Sequence, residues 1–338
     1  TKDEKFKGGG TVEYMFNNQP TSKLTISGRH DVFQLGASEN AFSTGNILSS
    51  IFSRGNNDKL TMINSFDFRY EKEWWQGFSN IFAMEYRQMF PTKYVGFVRP
   101  NGEEVSQIRT TQFRLGTRLS RNEIVVRQSF DKASMGSDFP IVGIDLVAGL
   151  KGVLNGNYEY YRAELSIKHD VNIAPIGYSD FMVSGGKIFN KVPYPLLKLH
   201  EGNATYFYDP YAFSCMNFYE FASDLWAAVF WEHHFRGFFL SKIPLMKRLK
   251  WREVATVKAL WGTLSDKNNG SLADTKAILL FPEGMSSVSK PYIEAGVGVE
   301  NIFRILRIDA IWRLTHRGDR LGQKVDNFAI NFSIHLNF

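Results

Sequence analysis

The sequence predicts an all-β protein, an antiparallel transmembrane β-barrel of about sixteen strands. In residues 327–338 every even position is large and apolar, whereas every odd position is Asn, Ala, Ser or His. This alternation gives a strand one apolar and one polar face, and about 10 such residues can cross a bilayer within a barrel. The chain also has 29 Phe, 14 Tyr and 7 Trp, which is typical of aromatic girdles. No apolar run approaches the length of a transmembrane helix.

Alternating segments separated by turn residues predict the individual strands. Residues 1–10, which are charged and then Gly-rich, are predicted to be a linker, and residues 11–338 form the barrel domain. An even strand count places both termini at the same end, which we expect to be periplasmic. In chain order the predicted strands are 11–17, 23–35, 44–52, 58–73, 79–90, 105–118, 122–131, 139–151, 156–169, 177–189, 204–220, 224–236, 251–263, 290–301, 304–316 and 326–338.

The lengths of the connections agree with a barrel that has short periplasmic turns and longer outer loops. The predicted periplasmic connections include the short segments 75–78, 119–121, 153–155 and 302–303. The predicted outer ones include the longer segments 91–104, 132–138 and 264–289. Two predicted periplasmic connections, 191–199 and 237–250, are long and depart from this trend.

Charged side chains in these segments occupy the alternate positions that form the polar face of each strand. In 304–316, for example, Arg307, Asp309 and Arg313 alternate with apolar positions. An Arg or Lys on the lipid face would cost about 2–4 kcal/mol at the bilayer midplane, so we predict that these residues face the lumen. The predicted lumen-facing charged residues are Asp67, Arg69, Glu71, Glu85, Arg87, Arg114, Arg118, Arg162, Glu164, Lys168, Glu294, Arg307, Asp309 and Arg313.

Composition and motifs make several functions less plausible. The net charge is +6, but the basic residues are dispersed along strands, so we expect no nucleic-acid partner. The single cysteine, Cys215, rules out an internal disulfide and a metal–thiolate cluster. No nucleophile elbow, phosphate-binding Gly-rich loop or His-Glu-x-x-His motif is present, so we expect neither enzymatic activity nor a cofactor.

The sequence Glu232-His233-His234 is the nearest approach to a metal motif. Adjacent residues of a strand point to opposite faces, so only Glu232 and His234 could share an ion. Two ligands are fewer than the three or four of zinc sites, and a polar cluster in the lumen or at the interface is the simpler interpretation. We therefore expect no metal.

Residues 242–250 form a basic amphipathic segment at the predicted periplasmic rim. It fits a short interfacial helix with its cations near lipid headgroups, a docking element for a partner, or a solvated turn. We predict that this rim makes contacts through Arg236, Lys242, Lys247, Arg248 and Lys250.

Several stretches resemble a family of Bacteroidota outer-membrane proteins without an assigned function. They are 186–197, 200–203, 221–224, 232–240 and 243–245. The resemblance implies a barrel in the outer membrane, preceded in family members by a carboxypeptidase-regulatory-like β-sandwich, and it implies no reaction. The count of sixteen strands is also similar to the BamA-like superfamily. Residues 235–238 resemble the Arg-Gly-aromatic loop motif of outer-membrane translocators, but parity places Arg236 at the periplasmic end, which argues against that role.

The chain ending is similar to the terminal signal that the barrel assembly machinery reads in bacterial outer-membrane barrels. The positions concerned are Phe332, Ile334, Leu336 and Phe338. We therefore expect outer-membrane lipid, the assembly machinery and other outer-membrane or periplasmic proteins as partners. Three functions fit: an accessory or structural subunit of a larger outer-membrane assembly, a BamA-like insertase or translocator, and a diffusion channel for small solutes.

Overall fold

The structure is a computed structural model that describes residues 6–36, 60–127, 132–272, 274–319 and 323–334. No helix in these ranges is long and apolar enough to cross a membrane. The strands are β1 (Gly8–Asn18), β2 (Thr21–Phe33), β3 (Thr61–Trp75), β4 (Phe78–Phe90), β5 (Ile108–Leu119), β6 (Glu123–Arg127), β7 (Lys132–Ser137), β8 (Ile141–Gly149), β9 (Tyr160–Asn172), β10 (Tyr178–Ile188), β11 (Lys198–Leu199), β12 (Phe221–Ser223), β13 (Leu225–His234), β14 (Arg252–Thr263), β15 (Ser286–Ser287), β16 (Tyr292–Ile302), β17 (Leu306–Arg313) and β18 (Phe328–Ile334). The α-helix α1 spans Pro244–Leu249, and short 3₁₀ helices span Val153–Asn155, Tyr194–Leu196 and Leu240–Lys242.

Thirteen of these strands form one large sheet in the order β1-β2-β3-β4-β5-β8-β9-β10-β13-β14-β16-β17-β18. Each strand is antiparallel to its neighbours, and the order of the strands in the sheet is their order in the chain. We call the end of the sheet with connections 19–20, 76–77, 120–140, 173–177, 235–251 and 303–305 the turn end. The opposite end, with 91–107, 150–159, 189–224, 264–291 and 314–327, is the loop end.

The two faces of the sheet differ as the alternation predicts. In β13, for example, Val229 is 40% exposed, whereas the next residue, Phe230, is 5% exposed. The outer face is an apolar belt of exposed side chains: Phe66, Phe68, Phe82, Phe113, Leu115, Leu146, Leu165, Val183, Val229, Val257, Trp261, Val297, Ile308, Trp312 and Ile330.

The inner face is covered by residues 189–224, which we call the plug. The sheet curves around the plug, because Tyr219 contacts Thr61 of β3 while Cys215 contacts Ile311 of β17. The plug strand β12 pairs antiparallel with β11, which also lies in the plug, and parallel with β15 of the connection 264–291. Residues of the plug, of the inner face and of the connections 91–107 and 264–291 together form the main apolar core, in which Phe213 lies between Phe230 and Tyr292.

Two predicted strands are not strands of this sheet. Within the segment predicted as 122–131, the described residues 123–127 form β6, which pairs with β7 in a separate hairpin at the turn end. The segment predicted as 204–220 lies in the plug and contains no extended strand. The predicted strand 44–52 lies outside the described residues.

These differences change the direction of several strands. Because β6 and β7 leave the main sheet, β8, β9 and β10 run opposite to the prediction, so 153–155 lies at the loop end instead of the turn end. The loss of 204–220 restores the predicted direction from β13 onward. The described sheet has thirteen alternating strands, so β1 begins at the end opposite to that at which β18 ends, and the prediction of both termini at one end is not reproduced.

Candidate functional site

The backbone of the plug is held by charged side chains of the inner face. The Nζ of Lys258 donates to the carbonyls of Asp209 and Ala212 at 2.7 and 2.6 Å. The Glu294 carboxylate accepts from the amides of Ser214 and Cys215 at 2.8 and 2.7 Å. Lys258 and Glu294 occupy directly opposite positions on β14 and β16, and both side chains are fully buried. The cation of Lys258 thus binds carbonyls, and the anion of Glu294 binds amides, of the same loop.

A second buried pair fixes the following turn of the plug. Arg313 of β17 pairs with Glu220 at 2.5 Å and donates to the carbonyl of Cys215 at 3.2 Å. The guanidinium also lies 4.7 Å from the centre of the Tyr292 ring. These contacts compensate for the desolvation of two charges that are both almost fully buried.

A third cluster lies deeper, toward the turn end. Arg307 pairs with Glu232 at 3.0 Å and with Asp309 at 2.8 Å, and Tyr208 of the plug donates to Glu232. His234 lies 3.5 Å from Glu232 and 3.0 Å from Glu300. The metal-like motif is therefore part of an ion-pair network, and no set of ligands suited to a metal ion occurs among the described residues.

The plug also covers the outer edge of the last strand. The amide of Tyr208 donates to the carbonyl of Phe332, and the amide of Phe332 donates to the carbonyl of Tyr206, both at 2.8 Å. The Asn331 side chain donates to the carbonyl of Thr205 at 3.0 Å. The rings of Phe207 and Phe332 lie 4.6 Å apart. Residues 205–208, which we call the edge cap, thus act as a short parallel strand beside β18.

The first strand has a different environment. Among the described strands, β1 pairs with β2 alone. Its outer-face residues Val12, Tyr14 and Phe16 are exposed. The described sheet therefore has two edges, β1 and the capped β18.

A polar cavity of about 560 Å³ lies at the turn end beneath the β6–β7 hairpin. Arg127 at the tip of the hairpin pairs with Glu73 at 3.0 Å and donates to the carbonyl of Asn18 at 2.8 Å. At its base, Glu123 pairs with Arg118 at 2.6 Å. Burial alone would raise the pKa of Glu123, but the hydrogen bonds from Arg118 outweigh it and lower that pKa to about 2. The hairpin is thus fixed through its polar face.

The plug contains a buried histidine, His200, and a lysine, Lys198, whose pKa values are shifted. Burial lowers the pKa of His200 well below its usual value, and the charge of nearby Lys198 lowers it further. The Nε2 of His200 pairs with the Ser223 hydroxyl at 2.8 Å. Burial would lower the pKa of Lys198, but Glu201 and Glu164 raise it instead, so the ammonium keeps its proton.

The residues predicted to face the lumen share the inner face but form two groups. On β3–β5, β8 and β9 the charges pair with one another, between neighbouring strands in Arg114–Asp145 at 2.6 Å and within β4 in Arg87–Glu85 at 2.7 Å. Lys198 of the plug lies 3.9 Å from Glu164. In the second group, Glu294, Arg307, Asp309 and Arg313, buried side chains surround the plug. The others lie on the same inner face: Asp67, Arg69, Glu71, Arg118, Arg162 and Lys168.

The predicted rim residues lie in the connection 235–251 at the turn end. Lys247, Arg248 and Lys250 are exposed on or next to α1. Arg236 stacks on Tyr178, and Lys242 lies over Phe238 at 4.5 Å from the ring centre. Of the predicted terminal signal, Phe332 and Ile334 belong to β18, while Leu336 and Phe338 lie outside the described residues.

Four residues of the site were not predicted: Lys258, Glu220, Tyr208 and Glu232 as an ion-pair partner. Lys258 could have been found, because it has the same parity as Val254, Thr256 and Leu260 and is the sole charge in the middle of its strand. Glu220 and Tyr208 could not, because the sequence predicts 204–220 as a barrel strand, whereas the segment lies in the plug.

The comparison with solved structures agrees with the fold described above. The structure is similar to the crystal structure of BamA from Haemophilus ducreyi lacking POTRA domains 1–3, with a TM-score of 0.56 and 11% sequence identity. The match covers 97% of this chain and 62% of that chain, so this chain spans less than two thirds of it. The fold is thus similar to that of a BamA barrel, and at this identity the likeness is one of fold alone.

The sequence comparison identifies the family. Residues 1–268 match the C-terminal domain of a family of unknown function, DUF5686, and the chain belongs to this family. No curated protein matches the sequence. The stretches 186–197, 200–203 and 221–224, which carried the family resemblance, lie mainly in the plug.

Proposed function

We propose that this chain is an integral outer-membrane β-barrel that serves as an accessory or structural subunit of a larger outer-membrane assembly. The main support is the plug, which fills the space inside β13–β18 and is bound there by buried ion pairs. A barrel with a packed interior acts through its surfaces. This observation favours a scaffold over a diffusion channel, which needs a hydrated passage.

The apolar belt supports the location in a membrane. An outer face of exposed Phe, Leu, Val and Trp on strand after strand would be unfavourable in water, where monomeric proteins rarely expose such continuous patches. The same face is suited to lipid, and the fold similarity to BamA is consistent with an outer-membrane barrel.

The β6–β7 hairpin supports a protein partner at the turn end. Its polar face, with Glu123 and Arg127, is turned toward the cavity, while Ile124 and Met135 on the other face are each 67% exposed. This is the reverse of the usual arrangement in water. We propose that a periplasmic or outer-membrane partner protein covers this apolar face.

The test is affinity purification of the full-length protein from native membranes in mild detergent, followed by mass spectrometry. We expect stoichiometric outer-membrane or periplasmic partners, and we expect Ile124→Ser with Met135→Ser to lose at least one of them. Tyr94→Ser with Leu272→Ser, which alters exposed apolar residues at the loop end, is the matched control. A barrel that purifies alone after crosslinking in intact cells would overturn the accessory role.

Conductance in planar bilayers separates the scaffold from the channel. We expect the wild-type protein to show no stable open state, because the plug is bound by Lys258, Glu294 and Arg313. A steady conductance of the wild type would favour the channel.

A second function, that of a BamA-like insertase or translocator, is favoured by the two edges of the sheet. A strand edge can add a strand of another chain, and the edge cap occupies part of that position on β18. In proteoliposomes, Tyr208→Pro would remove the amide that binds Phe332 and should increase crosslinking of client barrels at β18. Tyr208→Phe keeps the amide and is the control. Absence of client crosslinks in both variants would exclude this function.

A further inference from the structure

We infer that a basic, apolar surface at the turn end binds the phosphate-bearing surface of the bilayer leaflet at that end. This surface, the rim patch, consists of residues 236–252 and 303–305. The inference rests on the proposed membrane location and adds to it a specific lipid contact.

The apolar part of the rim patch continues the outer face of β13. The rings of Trp231 and His233 stack with centres 6.1 Å apart, His233 and Phe235 lie 4.4 Å apart, and Phe235 and Phe239 lie 5.2 Å apart. This row of rings runs from the middle of the strand to the rim. An aromatic row in this position is suited to the boundary between hydrocarbon and headgroups.

Beyond this row, the patch exposes more apolar side chains than a solvated turn would need. Phe303 is 84% exposed and Leu245 is 61% exposed. Ile243, Leu249 and Ile305 are also exposed. The two parts of the patch are joined, because the Asn301 side chain donates to the carbonyl of Lys250 at 2.6 Å.

The charges of the patch have one sign. Residues 236–252 contain six cations and no Asp or Glu: Arg236, Lys242, Lys247, Arg248, Lys250 and Arg252. Arg304 adds a further cation. Glu253 accepts from the amide of Leu240, and Glu300, which lies opposite Arg252 across the two strands, binds His234. Lys242, Lys247, Arg248 and Lys250 are exposed at the rim.

Cations among exposed apolar residues favour a lipid surface over an acidic protein. Basic residues near a membrane surface bind anionic headgroups, while the apolar residues between them enter the acyl boundary. Continuity with the apolar belt through Phe235 and Phe239 places the patch where that boundary would lie.

The experiment uses the full-length protein reconstituted into vesicles of phosphatidylcholine or of phosphatidylcholine with phosphatidylglycerol. Leu245→Cys is labelled with an environment-sensitive fluorophore, while native Cys215 is buried. We expect acyl-brominated lipids to quench the label, and the anionic vesicles to reduce quenching by aqueous iodide several-fold. Lys247→Glu with Arg248→Glu should abolish the difference between the two lipid mixtures. Lys93→Glu with Lys276→Glu at the loop end should leave it unchanged.

A second label at Val297→Cys, in the middle of the apolar belt, reports whether the barrel is inserted. Quenching at position 297 but not at 245 would overturn the lipid contact and leave the barrel intact. Quenching at neither position would overturn the membrane location itself. Protection of position 245 from iodide without quenching by brominated lipid would mean that protein rather than lipid covers this position, and would also overturn the inference.

Discussion

At the scale of single residues, the buried charges of the inner face bind the plug, whereas the sequence predicts only that they face the lumen. Parity alone predicts that Arg307, Asp309 and Arg313 avoid the lipid face, because a charge there is costly. Parity cannot identify their partners, since Glu220 and Tyr208 lie far away in the chain in an irregular segment. The sequence therefore indicates which face these residues occupy but not what they hold.

Lys258 offers the sharpest test of this role. Lys258→Met keeps the length of the side chain but leaves the carbonyls of Asp209 and Ala212 and the carboxylate of Glu294 without their cation. Breaking a buried charge network in this way typically costs about 3–5 kcal/mol. We expect such a loss in urea unfolding of the reconstituted barrel, and less than about 0.5 kcal/mol for exposed Lys276→Met. Equal effects of the two variants would contradict the role of Lys258.

The buried His200 predicts that the free energy of unfolding depends on pH. Because its pKa in the folded protein is lowered, the unfolded chain binds a proton near the ordinary value of 6.5, whereas the folded chain does not. This contribution to stability is therefore present above about pH 6.5 and is lost as the pH falls below it. The free energy of unfolding should fall more between pH 8 and pH 5 in the wild type than in His200→Gln. Identical slopes would rule out His200 as the titrating group.

At the scale of elements, the strands were predictable where one face meets an apolar environment. In β3, β13, β16 and β17 the alternation of apolar and polar residues correctly predicted which side chains point inward and which outward. Burial on one face and exposure on the other impose this period of two. The segment 122–131 has the same period for another reason: its polar face binds Glu73 and lines a cavity. Its alternation thus predicted a barrel strand where the chain forms a hairpin.

The prediction of 204–220 failed for a different physical reason. Its frequent aromatic residues, including Tyr208, Tyr211 and Phe213, pack against an interior surface. Its backbone hydrogen bonds go to Lys258 and Glu294 and, at 206–208, to the edge of β18. Long-range contacts of this kind cannot be read from the local sequence. The two failures reversed β8–β10 and then cancelled, so the connections 237–250 and 264–289 were still assigned to the correct ends of the sheet.

Arg127 tests whether the hairpin is held as one element. Arg127→Ala removes the pair with Glu73 and the hydrogen bonds to Asn18 and Thr21, each of which involves a charged group. Such bonds are worth about 1.5–3 kcal/mol, and an isolated two-stranded hairpin is only marginally stable. We expect faster amide exchange across 123–137 and little change in β13. Arg121→Ala, at the base of the hairpin, should leave exchange near the tip unaltered, and unchanged exchange in Arg127→Ala would contradict this anchoring.

At the scale of the whole molecule, the structure combines a lipid-suited exterior with an interior filled by its own chain. The plug is bound mainly by β13–β18, whereas charges of β3–β5 pair with one another, with β8 and with the β6–β7 hairpin, and β3–β5 line the cavity at the turn end. This asymmetry separates a half whose inner face packs on the plug and which bears the capped edge from a half that bears the hairpin and the exposed β1. The partner contact proposed above for Ile124 and Met135 belongs to the second half.

The apolar belt predicts how the cost of a charge varies with depth. Val297 lies at the middle of β16 and points outward, so Val297→Arg should destabilise the reconstituted barrel by about 2–4 kcal/mol, as Arg does at a bilayer midplane. Leu314 is similarly exposed but lies just beyond β17 at the loop end, so Leu314→Arg should cost about 0–1 kcal/mol. The measurement is urea unfolding in vesicles, with the same variants in detergent micelles as a control for local packing. A water-exposed outer face would give two small and equal costs, because an arginine there would lose no hydration at either depth.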